Sequence, residues 1–196
     1  MRVVAGVYGG RRLRVPRGSA TRPTSDRVRE ALFSTLGDAV VGAHVLDLYA
    51  GSGALGIEAL SRGASSAVFV ERDPATAAVL CANLSALGVV ATVHVGAVAR
   101  FVADLQDMDL PPFDLVLCDP PYRLSSDEPA TVLSRLARNR QLSAGATLVA
   151  ERARHGTSFT VPEQELHVAD VRTYGDTVLH YLRYRPVTPG GGGAHE

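Results

Sequence analysis

His44-Val45-Leu46-Asp47-Leu48-Tyr49-Ala50-Gly51-Ser52-Gly53-Ala54-Leu55-Gly56 decides how this chain folds. An apolar run enters a glycine-rich turn and gives way to helical spacing near Ala54, so the stretch reads as buried strand, tight turn and helix. Gly51, Gly53 and Gly56 satisfy G-x-G-x-x-G, and Glu71 lies twenty residues after Gly51, at the end of the next apolar run, Ala67-Val68-Phe69-Val70. Glycines let the backbone approach a ligand closely, and an acid at that spacing accepts ribose hydroxyls. The spacing alone does not separate NAD from other adenosine cofactors. Asp47, at the strand tip four residues before Gly51, makes the separation. A carboxylate there repels a pyrophosphate but suits a cofactor with a cationic amino-acid end, and S-adenosylmethionine has that end.

Outward from this unit, strands and helices alternate. Strand 44–49 leads to helix 54–62, strand 66–71 to helix 74–87, strand 91–95 to helix 98–105, and strand 113–118 to helix 127–138. Pro74 takes the first helical position behind Asp73 as cap. A fifth strand at 146–151 precedes two more, 165–173 and 177–185, joined at Tyr174-Gly175-Asp176-Thr177 as an antiparallel hairpin. The fold class expected is α/β, a Rossmann-like, mostly parallel sheet with one antiparallel strand. Ahead of it, Arg2–Val4 and Arg11–Val15 flank Tyr8-Gly9-Gly10 as a predicted hairpin, and Ser25 or Thr24 caps a helix that Gly37 ends. Residues 1–40 are therefore read as a small hairpin-and-helix extension, 41–185 as the core, and 186–196, with Gly190–Gly193, as a disordered tail.

The second informative cluster is Asp119-Pro120-Pro121-Tyr122, which follows the apolar run Phe113–Cys118. It sets a carboxylate, proline-flanked carbonyls and an aromatic ring at a strand tip. The prolines fix φ and donate no N–H. Such a cluster suits a planar substrate bearing an NH2 group: Asp119 and the Pro120 carbonyl accept the two amino hydrogens, and Tyr122 stacks on the ring. Open parallel sheets bind ligands beyond the carboxyl ends of their strands. Asp47, Glu71, Gly96-Ala97 and Asp119 all fall at such ends.

Charge is zero overall but uneven. Residues 1–30 hold eight Arg (2, 11, 12, 14, 17, 22, 27 and 29) against Asp26 and Glu30, a net +6, and the remainder carries −6. A basic arm on an acidic body fits docking on nucleic acid. All twenty basic residues are Arg, which matches the Ala, Gly and Val richness of a GC-rich genome and gives Arg itself no special weight. Apolar residues make up 46% of the chain, with no run near the ~18 residues of a membrane helix. No signal-peptide pattern opens the sequence, and Cys81 and Cys118 read as reduced core thiols, so a cytoplasmic protein is expected. No Cys/His cluster has metal-ligand spacing, and no metal is expected.

Asp47–Gly56, Glu71-Arg72 and Asp119–Tyr122 together resemble the class I methyltransferases that modify amino groups. Within them, Arg22-Pro-Thr-Ser-Asp-Arg-Val-Arg-Glu-Ala-Leu-Phe33 resembles the signature of the RsmD-type bacterial 16S rRNA (guanine-N2)-methyltransferases, and the resemblance runs from about residue 2 to residue 185. It implies S-adenosylmethionine held by Asp47, Tyr49, Gly51, Gly53, Glu71, Arg72, Ala97 and Asp119, with the adenine near Arg72 and the Ala97 backbone. Many relatives carry Asp or Asn where this chain has Gly96, which leaves the adenine edge to main-chain groups. The implied catalytic set is Asp119, Pro120 and Tyr122. Arg11, Arg12, Arg14, Arg22, Arg27, Arg29 and Arg123 are the implied RNA contacts, in 16S rRNA or the small ribosomal subunit, for a monomer. Alternatives are a protein-glutamine or DNA adenine methyltransferase and a non-catalytic RNA-binding assembly factor; an NAD oxidoreductase leaves Asp47 and Asp119–Tyr122 without purpose.

Overall fold

The computed structural model describes residues 1–16, 25–121, 124, 127–155, 159–161 and 164–187. Helices α1 (Asp26–Leu36), α2 (Ala54–Ser61), α3 (Pro74–Leu87), α4 (Val98–Asp104) and α5 (Asp127–Arg138) flank one sheet. Its strands are β1 (His44–Leu48), β2 (Ser66–Glu71), β3 (Thr92–Val95), β4 (Phe113–Cys118), β5 (Leu142–Ala153), β6 (Leu166–Tyr174) and β7 (Thr177–Tyr184). They lie in the order β3-β2-β1-β4-β5-β7-β6. β7 runs antiparallel to both neighbours and the other pairings are parallel. The expected sheet with one reversed strand is the one observed.

The two layers of helices follow from the strand period of two. Along β1, Val45 joins Leu32, Phe33, Ile57 and Leu80 on the side of α1, α2 and α3. Leu46 and Leu48 point the other way and join Phe101, Leu133 and Leu136 of α4 and α5. Each fully buried side chain of this kind contributes about 1.5–3 kcal/mol relative to exposure. The order of strands reverses between β1 and β4, and it is beyond the carboxyl ends of strands at such a point that open α/β sheets bind ligands. Local caps agree with the sequence: Ser25 Oγ accepts the Val28 N–H at 3.3 Å, and Asp73 accepts the Thr76 N–H at 2.8 Å beneath Pro74.

Three expectations need correction. The N-terminal hairpin does not form two strands; among the described residues it closes with one antiparallel bridge, Arg2 to Arg12. The Val3, Gly10 and Leu13 N–H groups bond across the arms to the Arg11, Val3 and Met1 carbonyls at 2.9, 2.9 and 3.0 Å, but other donors turn to α2. Glu58 of α2 accepts the Val4 and Ala5 N–H groups at 2.6 and 3.0 Å, Ser61 Oγ accepts that of Tyr8 at 3.0 Å, and the Ser61 carbonyl accepts that of Val7 at 2.8 Å. The segment is bolted to α2, and its Val3 and Leu13 are buried with the α1–α3 layer. Arg29 is no RNA contact: its side chain is wholly buried, with Nη2 donating to the Arg2 carbonyl at 2.6 Å and to Asp26 Oδ1 at 2.7 Å. Cys81 is exposed on α3 and only Cys118 of the pair is core; both thiols are free.

β5 begins at Leu142, four residues earlier than its apolar run suggests, because Gly145 at φ 79° permits an irregularity between two paired stretches. Phe113 pairs with Leu142 but Leu115 pairs with Thr147. The expected tail beyond residue 187 lies outside the described residues. No helix among the described residues is long and apolar enough to cross a membrane.

The α2 anchor gives a direct test. Glu58→Ala removes the acceptor for Val4, Ala5 and the Arg62 Nε, and each part-buried donor left without its partner costs roughly 1–3 kcal/mol. Urea denaturation should show a clearly lower midpoint with an unchanged slope; an unaltered midpoint would mean that the arm is not held this way.

Candidate active site

The candidate site is built from the tips of β1, β2 and β4. Directly after β1, Tyr49 adopts φ 59°, a left-handed conformation that costs a side-chain-bearing residue about 1–3 kcal/mol. The turn continues through Gly51 and Gly53, and Gly53 at φ 83° is the N-cap of α2. Gly56 serves a different end. A Cβ there would stand 2.3 Å from Phe69 Cε1 and 2.9 Å from Asp47 Oδ2, so the absent side chain lets α2 lie close to β1 and β2. This matches the packing role of the third glycine in such turns.

Asp47 sits beneath the turn and is 1% exposed, with Oδ2 accepting the Gly56 N–H at 2.8 Å. Burial pushes its carboxyl well above the usual range; the Gly56 bond opposes this, while the negative charges of Asp119 and Glu71 add to it. Three carboxylates from three strand tips thus sense one another. Such a field favours a cation between them and resists a further anion. Glu71 bridges two backbone segments: Oε2 accepts the Gly51 N–H and Oε1 the Asp73 N–H, both at 2.8 Å. A carboxylate has about four lone-pair sites, so acceptor capacity remains for hydroxyls.

Arg72 and Ala97 are exposed on the same rim, and Ala97 is the N-cap of α4. At Gly96 the structure adds a detail: a Cβ there would approach His94 Nε2 to 3.0 Å. The imidazole of His94, tilted against Phe101 at 4.9 Å between centroids, fills part of the space that a side chain at 96 would take. At the β4 tip Asp119 is half-buried and Pro120 buried. Tyr122, Arg22 and Arg123 lie outside the described residues. Arg11, Arg12, Arg14 and Arg27 are exposed.

Several groups around the β4 tip are not marked by any sequence motif. The Tyr49 hydroxyl donates to Glu128 Oε1 at 3.4 Å, tying the turn after β1 to the first turn of α5. Burial above all, with the neighbouring Cys118 and the Glu128 carboxylate behind it, raises the phenol's pKa, so it remains a proton donor. Arg152, at the end of β5, is 9% exposed and its Nε has no partner among the described residues. Its charge reaches Tyr49, Cys118 and His180; the His180 imidazole is lowered first by burial and then by this cation. A signal for Arg152 was available. Like Asp47, Glu71 and Asp119 it is a charged residue at the end of an apolar strand, and the same strand-tip rule finds it. Among the described residues no group of three or more His, Cys, Asp or Glu could hold a metal ion.

Known proteins resemble this chain in sequence and fold. The chain is 43% identical over 125 residues to Ribosomal RNA small subunit methyltransferase D of Escherichia coli strain K12, a match over 63% of this chain that spans 61% of that protein's length. It is 37% identical over 153 residues to the protein of the same name from Haemophilus influenzae, covering 77% of this chain and 78% of that one. The solved structure of the Escherichia coli protein yhhF matches with a TM-score of 0.82 at 34% identity, covering 95% of this chain and 98% of that one. The fold is that of the class I methyltransferases. A family model described as "Conserved hypothetical protein 95" matches residues 1–183, and the chain belongs to that family.

Proposed function

We propose that this protein methylates the exocyclic N2 amino group of a guanine in 16S rRNA, using S-adenosylmethionine and acting in the cytoplasm on the assembled small ribosomal subunit. The observation that carries the reading is the convergence of Asp47, Glu71 and Asp119 on the site between β1 and β4, with the glycine turn beneath and Pro120 beside it. The relatives named for small-subunit rRNA methylation support the substrate class. The exposed arginines on residues 11–14 and Arg27 supply an electrostatic footing for RNA.

S-adenosylmethionine, when bound, supplies a methyl group on a positively charged sulfur. Gly51 and Gly53 permit its close approach, Glu71 takes the ribose hydroxyls, and the carboxylates of Asp47 and Asp119 favour its positive charge. Asp119 and the Pro120 carbonyl accept the two hydrogens of the target amine and orient its lone pair, which delocalisation into the ring otherwise weakens. Alignment of this sort contributes on the order of 7–11 kcal/mol in well-oriented systems. Asp119, or water, would take the surplus N–H proton that the amine releases once it carries the methyl group. Tyr122 stacks on the base, worth roughly 1–3 kcal/mol. A guanine within a helix must leave its stack first, so a loop or junction is the target. The small arm reads little sequence itself, which suits a target whose shape an assembled subunit provides.

Purified protein given S-adenosylmethionine with a tritiated methyl group, alongside unmodified small subunits, free 16S rRNA, DNA and cell protein, should label the subunits. Digestion to nucleosides should place the label in N2-methylguanosine. Label confined to DNA or protein would overturn the substrate, and bound cofactor without any label would favour a non-catalytic assembly factor. Asp119→Ala should lower kcat by at least about a hundredfold while S-adenosylhomocysteine still binds within a few-fold of wild type.

Asp47→Asn should weaken cofactor binding at neutral pH yet leave the free protein as stable or more so. The sign follows from the raised carboxyl: its contribution to folding is complete below the unfolded value and is lost as pH rises through the folded one. Asn does not titrate, so the variant's advantage in melting temperature should widen as pH rises; equal pH profiles would contradict it. Reversing Arg11, Arg12 and Arg14 to Glu should flatten the salt dependence of RNA binding by about one unit of slope for each phosphate that is no longer neutralised. An unchanged slope would return the arm to plain solvated surface.

A further inference from the structure

We infer that Asn83 is a positioning residue that makes RNA binding on the arm and cofactor binding at the glycine turn depend on each other. This rests on the reading of the arm as an RNA-contacting surface. Asn83 lies on α3, is 2% exposed, and belongs to no motif of the sequence. Its one amide group reaches two functionally distinct segments. Oδ1 accepts the Arg14 N–H at 2.8 Å, and Nδ2 donates to the Arg14 carbonyl at 3.0 Å and to the Ser52 carbonyl at 3.0 Å. Ser52 is the central residue of Gly51-Ser52-Gly53, so the bond enters the turn to which the proposed function assigns the cofactor.

The chemistry makes this a linkage and not a simple tether. Both N–H groups of Nδ2 are committed, one to each segment, and a planar amide cannot move one donor without moving the other. Arg14 is gripped at both its backbone N–H and its carbonyl while its guanidinium remains exposed. The arm touches the turn a second time through Met1, whose Sδ lies 4.0 Å from Ser52 Oγ and whose carbonyl accepts the Leu13 N–H at 3.0 Å. When the cofactor orders the turn, the Ser52 carbonyl, Asn83 and the Arg14 backbone are ordered together, and the cost of holding Arg14 against a phosphate falls. Reciprocity is then required by thermodynamics: RNA tightens the cofactor by the factor with which the cofactor tightens RNA.

The test reads that factor. The dissociation constant of unmodified small subunits is measured by filter binding with and without saturating S-adenosylhomocysteine, for wild type, Asn83→Asp and Asn83→Ala. Asn83→Asp keeps the acceptor for the Arg14 N–H and the shape of the side chain but loses both donors. The expected result is at least about fivefold tightening in wild type, and a ratio within twofold of one in both variants, with the salt slope of binding unchanged. A merely structural Asn83 would weaken binding with and without the ligand equally and leave the ratio intact, which would overturn the inference. A wild-type ratio of one would overturn it regardless of how the variants fold. If reversal of Arg11, Arg12 and Arg14 leaves subunit binding untouched, the RNA reading of the arm fails first and takes the linkage with it.

Discussion

The hydrogen bond from the Gly56 amide to Asp47, buried under the first turn of α2, is the constraint from which the rest of the molecule follows. It sets the distance between α2 and the central strand, because Gly56 leaves room for Phe69 where any side chain would collide. With α2 held there, Gly53 must turn the chain sharply, and Gly51 comes within reach of Glu71. One turn further along α2, Glu58 and Ser61 face the N-terminal segment and collect its amides. A single close approach between helix and strand thus organises the glycine turn on one side and the basic arm on the other.

The same bond accounts for the electrostatic character of the site. Asp47 is deprived of water by the fold itself, which raises its carboxyl, and the negative charges of Asp119 and Glu71 add to the rise. The buried carboxyl is therefore costly to ionise in the free protein. The left-handed Tyr49 is a second cost of the same kind, offset in part by its hydroxyl bond to Glu128. Strain and desolvation gathered at one place are the usual mark of a site shaped for binding and not for stability.

The central strands, the caps at Ser25 and Asp73 and the strand-tip acids were legible because each rests on local rules: apolar period, capping chemistry and glycine spacing. What was not legible depended on partners far along the chain. Val4 and Ala5 look like strand residues, and nothing nearby in sequence says that Glu58 takes their amides. Arg29 counts as a surface charge until Asp26 and the Arg2 carbonyl are found around it. Asn83 acquires its significance only from the fold that brings α3 to the glycine turn.

The docking of the N-terminal segment also bears on the order in which the chain assembles. The acceptors for Val4 and Ala5 lie 54 and 53 residues downstream, and the amide that grips Arg14 lies 69 residues downstream. Interactions that far apart form only after the intervening loop has been closed, and they add to the time a domain needs to fold. During synthesis Val4, Ala5 and Arg14 emerge before β1, α2 and α3, so their acceptors do not yet exist when they do. A segment that precedes these partners in the chain settles only after the helices that hold it, and Arg14 stays unanchored until α3 is in place.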